Sequence, residues 1–198
     1  MNENNSKKNN TSGFFILSFS IIIFLCLPFL LSPDESVFPV NKDVSFVRVK
    51  INVSSLHKFT GKLKLYETDF RYDETRDIVT NADFSFNFSD LKMGSKKKEK
   101  KMFEWMEYQI YPEARFEMVS ELKIDGKRIM TGNFKMHGIT KELKIPFTFS
   151  IKEDKFVIEG NCLLDYRDFS LSVLRFLFLK VKPILRIQFH FEGSIIRK

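Results

Sequence analysis

The residues best able to ligate a metal or to act as nucleophile and base are three histidines (His57, His137, His190) and two cysteines (Cys26, Cys162) in a chain of 198 residues. Their spacing supports neither role. No HxxxH or His/Cys pair at ligand spacing joins them, so a zinc site would have to be gathered from distant parts of the fold together with carboxylates. No Ser/His/Asp or Cys/His arrangement is legible, and there is no glycine-rich phosphate loop. The reading is therefore of no catalytic residue, no metal, no cofactor and no enzyme. Cys26 lies in an apolar run and Cys162 stands alone in the body of the chain, so no intrachain disulfide serves the folded domain. Cys162 falls in an alternating segment and is expected as a buried, inert thiol.

What remains is the chemistry of apolar surface. Of the 23 phenylalanines, five (Phe14, Phe15, Phe19, Phe24, Phe29) lie in an N-terminal apolar run and 18 in the body. The stretch GNFKMHGITKELKIPFTFSI (132–151) sets Phe134, Met136, Leu143, Ile145, Phe147, Phe149 and Ile151 at alternate positions. Two half-apolar strands around a turn at 137–141 account for that pattern. Alternation recurs in RVKINV (Val47, Val49, Ile51, Val53), NADFSFNF (Ala82, Phe84, Phe86, Phe88) and LRIQFHFEG (Leu185, Ile187, Phe189, Phe191). Residues between them are polar, among them Lys135, Lys144, Thr148, Ser150, Arg186, Gln188, His190 and Glu192.

Eight segments read as strands: 44–54, 60–70, 76–90, 113–124, 127–137, 140–151, 155–167 and 183–196. Asp125-Gly126 is a strong hairpin signal and Glu153 to Lys155 a fair one. Pro146 cannot donate to a ladder, so a bulge is expected there. One connection reads as helical. It is KKKEKKMFEWMEYQIYP (96–112), with Met102 and Met106 four apart and Phe103 and Trp105 beside them, expected to pack one to three turns onto the end of the sheet. Consecutive antiparallel strands with one apolar face each lose their exposed edges by closing into a barrel. With polar residues outside, the rings face inward, and an eight-strand barrel is wide enough to be filled by them or to hold one slender ligand.

Ahead of the barrel, a short polar start with Lys7 and Lys8 precedes 18 uncharged residues, Phe14 to Leu31. That length lies between a signal h-region and a spanning helix, so residues 1–32 are read as a removed signal peptide or an uncleaved membrane anchor, with 33–43 as a spacer and 44–198 as the barrel. Either way the lysines stay inside and the rest is exported, to the periplasm. The formal charge is +7, of which residues 1–32 supply +1 and the exported part +6. Lys96 to Lys101 (KKKEKK) is read as a solvated turn or as a patch that meets anionic head groups on a membrane surface. Nucleic acid is not expected as a partner.

Four stretches resemble blocks of the YceI-like family of bacterial exported lipid-binding proteins. GNFKMHGITKELKIPFTFSI resembles its G-x-L-x-I-H-G-V-T-K-x-V-x-x-P block, and SSLHKFTGKLKLYE (54–67) an early strand pair. KKMFEWMEYQIYPEARFEM (100–118) resembles the helical segment followed by Y-P-x-x-x-F, and EGNCLLDYRDFSLS (159–172) the R-x-D-F-G strand. The resemblance covers residues 38–196. It implies an all-β, lipocalin-like, eight-stranded antiparallel barrel with an apolar tunnel that binds a polyisoprenoid or similar chain, without metal or catalytic residues. Two departures stand out. Ser170 follows Asp168-Phe169 where the family has glycine, and LSVLRFLFLKVKP (171–183) is more apolar than a loop, reading as a strand extension or as a lip at the tunnel mouth.

Phe84, Phe86, Phe88, Phe116, Met118, Phe134, Met136, Phe147, Phe149, Ile187, Phe189 and Phe191 are the expected ligand-contacting residues, or else simply core. Met102, Phe103, Trp105 and Met106 are expected at one mouth. Burial of a chain at about 0.8 kcal/mol per methylene, less ordering costs, would hold a long lipid well. The functional expectation is binding, transport or sequestration of a long-chain amphipathic lipid. The alternative is a closed barrel used as an envelope structural or surface interaction protein. Pairing into a homodimer through the long strands is left open.

Overall fold

The computed structural model describes residues 35–53, 57–176 and 179–196. The segment read as signal or anchor lies outside these residues, and no helix among them is long and apolar enough to cross a membrane.

The chain runs β1 (Glu35–Val37), β2 (Phe46–Asn52), β3 (Lys58–Leu63), β4 (Glu67–Asp73), β5 (Ile78–Asn87), β6 (Leu91–Lys92), α1 (Lys96–Trp105), β7 (Glu113–Ile124), β8 (Lys127–Met136), β9 (Ile139–Lys152) and β10 (Lys155–Asp165). A small hairpin, β11 (Arg175–Phe176) with β12 (Leu179–Lys180), then leads to β13 (Ile184–Ser194). Eleven strands form one antiparallel sheet in the order β1-β4-β5-β7-β8-β9-β10-β13-β2-β3-β6, which curls into a barrel.

Eleven strands replace the eight expected, and the reason is local. The segment 60–70 is two strands. In β3 the odd positions Gly61 and Leu63 point in, and in β4 the even ones Phe70 and Tyr72 do. The phase slips at the corner between them, where Leu65 is left 60% exposed and Tyr66 turns inward. The corner lets β3 stay on β2 while β4 pairs with β5. Closure is then made by short pieces. β6 pairs with β3, and β1, drawn from the stretch read as a spacer, pairs with β4 on one side while Val37 bridges to Ile196 on the other. Phe38, in the same stretch, is a core residue.

The hairpins follow the turn chemistry. Asp125-Gly126 and His137-Gly138 are two-residue turns with both residues at positive φ, the geometry whose twist matches paired strands. Glu153 is also left-handed, in the two-residue turn it makes with Asp154. Pro146 makes no bulge in the β8–β9 ladder, where it pairs in register with Ile129. Its missing N–H instead marks the point where β9 parts from β10: that ladder runs from Lys152–Lys155 only as far as Phe147–Gly160. Bulges fall elsewhere, between Arg71 and Tyr72 and between Met118 and Ser120.

Helix α1 takes in the whole KKKEKK run, which is therefore helical and no turn. It buries Met102 and, just beyond its end, Met106. LSVLRFLFLKVKP extends neither neighbouring strand; it carries the β11–β12 hairpin. That hairpin stands at the same end of the barrel as α1, since Lys182 N–H donates to Asn52 O at the end of β2 and Tyr166 N–H to Pro183 O.

Candidate functional site

The two ends of the barrel are built differently. At the end of the Asp125-Gly126 and Glu153-Asp154 turns, rings fill the interior. Phe38 packs on Phe156 (centroids 4.8 Å) and Tyr72 on Phe149 (4.6 Å), with Phe38 6.0 Å from Phe149. Arg128 lies over Phe149, 4.9 Å from its centre, and pairs through Nε with the buried Glu121 carboxylate at 2.6 Å. Glu121 also accepts from Val79 N–H, and Asp77 joins the group through Arg128, Lys123 and the Tyr72 hydroxyl. Lys123 and Tyr72, together with the nearby Arg128, hold the Asp77 carboxyl down to about 2, and burial followed by that carboxylate pushes the Tyr72 phenol up to about 12. This end is shut by a packed aromatic cluster under an ion-pair network.

The other end opens on a cavity of about 180 Å³. Its wall comes from nearly every long strand and from α1, and is apolar almost throughout. Of the twelve residues expected to meet a ligand, nine lie on it: Phe84, Phe86, Phe88 and Phe116, Phe134 and Met136, and Ile187, Phe189 and Phe191. Three do not. Phe147 and Phe149 lie under Arg128, and Met118, beside the β7 bulge, packs on the core away from the cavity. At the mouth, Met102, Trp105 and Met106 line the space, while Phe103 is absent from the lining and packs tilted against Tyr108, centroids 4.9 Å apart.

Sequence reasoning missed the β2 contribution, Val47, Val49 and Ile51, although their alternation is as regular as that of the chosen segments. Leu174 and Val181 lie within 171–183, the stretch read as a strand extension or a lip, and they bring the β11–β12 hairpin onto the rim as a lip would; Val181 N–H donates to Leu174 O. Trp105 ties the rim together. Its indole N–H donates to Ser172 O at 2.8 Å, and its ring meets the edge of Tyr166 at 5.0 Å. Cys162 faces the cavity as a buried thiol, pushed up to about 11 by desolvation.

Two of the sequence blocks meet beside the mouth. His137, in the β8–β9 turn, sets Nδ1 3.0 Å from Phe169 O, so the ring joins that turn to the Asp168-Phe169 segment instead of fixing the turn itself. Its ring lies 4.3 Å from that of Tyr111, and Phe169 is buried edge-on against Phe134 at 5.6 Å. This 3-10 segment, Tyr166–Phe169, packs on β9. It ends at Ser170, with φ 57°. That is the left-handed region, which explains why glycine suits the position. His190 lies outside the cavity, stacked on Phe46 and 2.6 Å from Glu159 Oε1. Among the described residues no group of three or more His, Cys, Asp or Glu could hold a metal ion.

Comparison with known proteins agrees with this architecture. The model of the YceI-like domain matches residues 38–193. BcnA of Burkholderia cenocepacia superposes with a TM-score of 0.71 at 17% identity, over 79% of this chain and 100% of that one. A polyisoprenoid binding domain from Saccharophagus degradans, implicated in plant cell wall breakdown, gives 0.61 at 10% identity, over 81% of this chain and 98% of that one. The Campylobacter jejuni YceI protein gives 0.61 at 16% identity, over 72% and 86%. No curated protein matches.

Proposed function

Because the chain belongs to the YceI-like family, we propose that it binds a single long-chain amphipathic lipid, its apolar tail in the barrel, and carries or sequesters it outside the cytoplasm. The observation that carries this reading is the ring-lined cavity, open at the α1 end and shut at the other. A void closed at one end and walled by apolar side chains suits a tail that enters end-on. The polyisoprenoid-binding domain from Saccharophagus degradans shares the fold, and an isoprenoid is the tail we favour.

Size sets the terms. At ~30 Å³ for each methylene, about a water's share of liquid volume, the cavity of about 180 Å³ takes on the order of six such units. A longer tail is admitted by side chains that change rotamer, and Met102, Met106, Met130 and Met136 on the wall are soft enough to do so. The apolar run Phe14–Leu31, read as signal or anchor, supports a periplasmic site beside the membrane that supplies the lipid.

Native mass spectrometry of the domain from Ser36 onward, purified without detergent, tests the proposal. An added mass of several hundred daltons that is lost on denaturation supports it and identifies the tail. A bare protein mass that also refuses added polyprenyl lipid would mean that the rings close on themselves and would favour the alternative, a closed barrel used as an envelope structural or surface interaction protein.

A further inference from the structure

The wall of the cavity is apolar except at one place. Lys98 and Lys101 are the two charged side chains among its lining residues, one helical turn apart on the face of α1 that also contributes Met102 and Trp105. Residues three and four apart on a helix share a face, so this placement follows from the sequence spacing KxxKMxxW. Lys98 Nζ stands 4.1 Å from the centre of the Phe59 ring, itself on the cavity wall. Its stem covers apolar surface while its charge sits at the rim, held over the ring face by a cation–π contact. Among the described residues no carboxylate lies within ion-pair distance of Lys98. Lys101 is half exposed and has only a 3.7 Å contact with Glu104, one turn further along. Two positive charges thus border the opening, and the rest of the wall offers a head group little to bind.

We infer that the preferred ligand is a single-chain amphiphile with an anionic head, a carboxylate or a phosphate, held at the mouth by Lys98 and Lys101. This rests on the proposed binding of a lipid tail in the barrel and adds the sign of the head group to it. A tail seated in the cavity places its head at the α1 rim, since the opposite end is closed by Phe38, Tyr72, Phe149 and Phe156. There it meets one cation resting on an aromatic face and a second weakly engaged with Glu104. Both remain partly wet, so each contributes at the level of an exposed ion pair, and together they favour an anion over an uncharged head about fivefold. Salt weakens that preference, because the charges are within reach of screening ions.

The test uses the full chain in nanodiscs of zwitterionic lipid with three photoreactive probes of equal length: diazirine palmitate, its methyl ester and diazirine hexadecyl phosphate. Cross-links are mapped to peptides. The inference expects palmitate or the alkyl phosphate to label cavity-wall peptides about fivefold more than the ester at low salt, with the gap narrowing at high salt. In Lys98→Gln/Lys101→Gln the ratio of anion to ester labelling should fall to about one. Equal labelling by charged and uncharged probes in the native chain overturns the inference and leaves tail binding standing, as does a preference that survives the double substitution. If no probe labels the cavity wall, tail binding itself fails.

Discussion

Phe191 is the residue through which the proposed tail site can be enlarged without touching its mouth. Its ring lies on the cavity wall among Tyr66, Phe70, Phe84 and Phe189, with centroids 5.7, 5.1, 5.9 and 5.6 Å away. Phe191→Ala leaves a hole of roughly 100 Å³, and at ~24 cal/mol per Å³ the cavity term alone is about 2.4 kcal/mol. Adding the transfer term brings large-to-small replacements of this kind to about 3–5 kcal/mol. One side of the ring already borders a void, so its loss forfeits fewer contacts and the expected cost is about 3 kcal/mol, at the lower end. For a chain of this size that lowers Tm by roughly 6–12 °C. The hole is worth about three methylenes of tail, each contributing about 0.8 kcal/mol before ordering costs. In a displacement assay with alkyl chains of graded length, the preferred length should therefore grow by about three carbons, with affinity for the longer chains up about tenfold. If stability falls as expected but the preferred length does not move, tails do not bind in this cavity. If stability falls by less than about 1 kcal/mol, the ring is not packed as described.

Ser170→Gly relieves a left-handed residue and should raise stability by about 0.5–1 kcal/mol in urea unfolding, the relief exceeding the entropy gained by the unfolded chain. A loss of stability would count against the strain. Arg128→Met leaves the Glu121 carboxylate, only 1% exposed, without its guanidinium. We expect a loss of about 3–5 kcal/mol, partly recovered in Glu121→Gln/Arg128→Met. A cost under 1 kcal/mol would mean that the closed end does not depend on the pair. The Cys162 thiol, raised from 9.0 to about 11, stays protonated in the fold where the unfolded chain has ionised. The unfolded state then binds fewer protons, so stability is full below pH 9 and declines as pH rises toward 11. Cys162→Ala should remove the part of the decline that begins near pH 9 and leave the part due to Tyr72, whose phenol is raised from 10.0 to about 12. Because the thiol borders the cavity, a bound tail should also slow its alkylation by an uncharged reagent, read peptide by peptide, and an unchanged rate would place the tail elsewhere.

What could be read in the sequence was whatever depends on one strand and its turn. The β7–β8 hairpin falls within a residue of its expected bounds, because Asp125-Gly126 fixes the reversal and the register of the pairs next to it, as far as the bulge between Met118 and Ser120. Nine inward rings and aliphatics follow from alternation alone. What failed depends on neighbours. Leu63 and Leu65 look like one face until β3 and β4 are seen to choose different partners, and the resulting corner puts Leu65 outside. Residues 35–37 show no strand signal because a three-residue strand is defined by the edge it fills. Phe147 and Phe149 alternate as well as Phe134 does, and only the end of the barrel they occupy separates plug from cavity. Lys98 and Lys101 sit in a charge run that by composition is solvent-facing; their helical phase turns them toward the mouth.

The parting of β9 from β10 at Pro146 bears on how the protein could hold tails of unequal girth. Most sheets resist widening because every increment breaks ladder hydrogen bonds. Along residues 139–146 the ladder to β10 is already absent, and the 3-10 turn that follows β10 is tied to the β8–β9 hairpin by Phe169, edge-on against Phe134, and by the contact between His137 and the Phe169 carbonyl. The barrel thus has a seam here that no row of ladder hydrogen bonds closes, in addition to the one between the two ends of the sheet, β1 and β6. Widening along this seam meets fewer ladder hydrogen bonds, each worth about 1 kcal/mol, than widening where the strands are paired. A tail of greater girth, if the barrel holds one as proposed, would find the least resistance along such a seam.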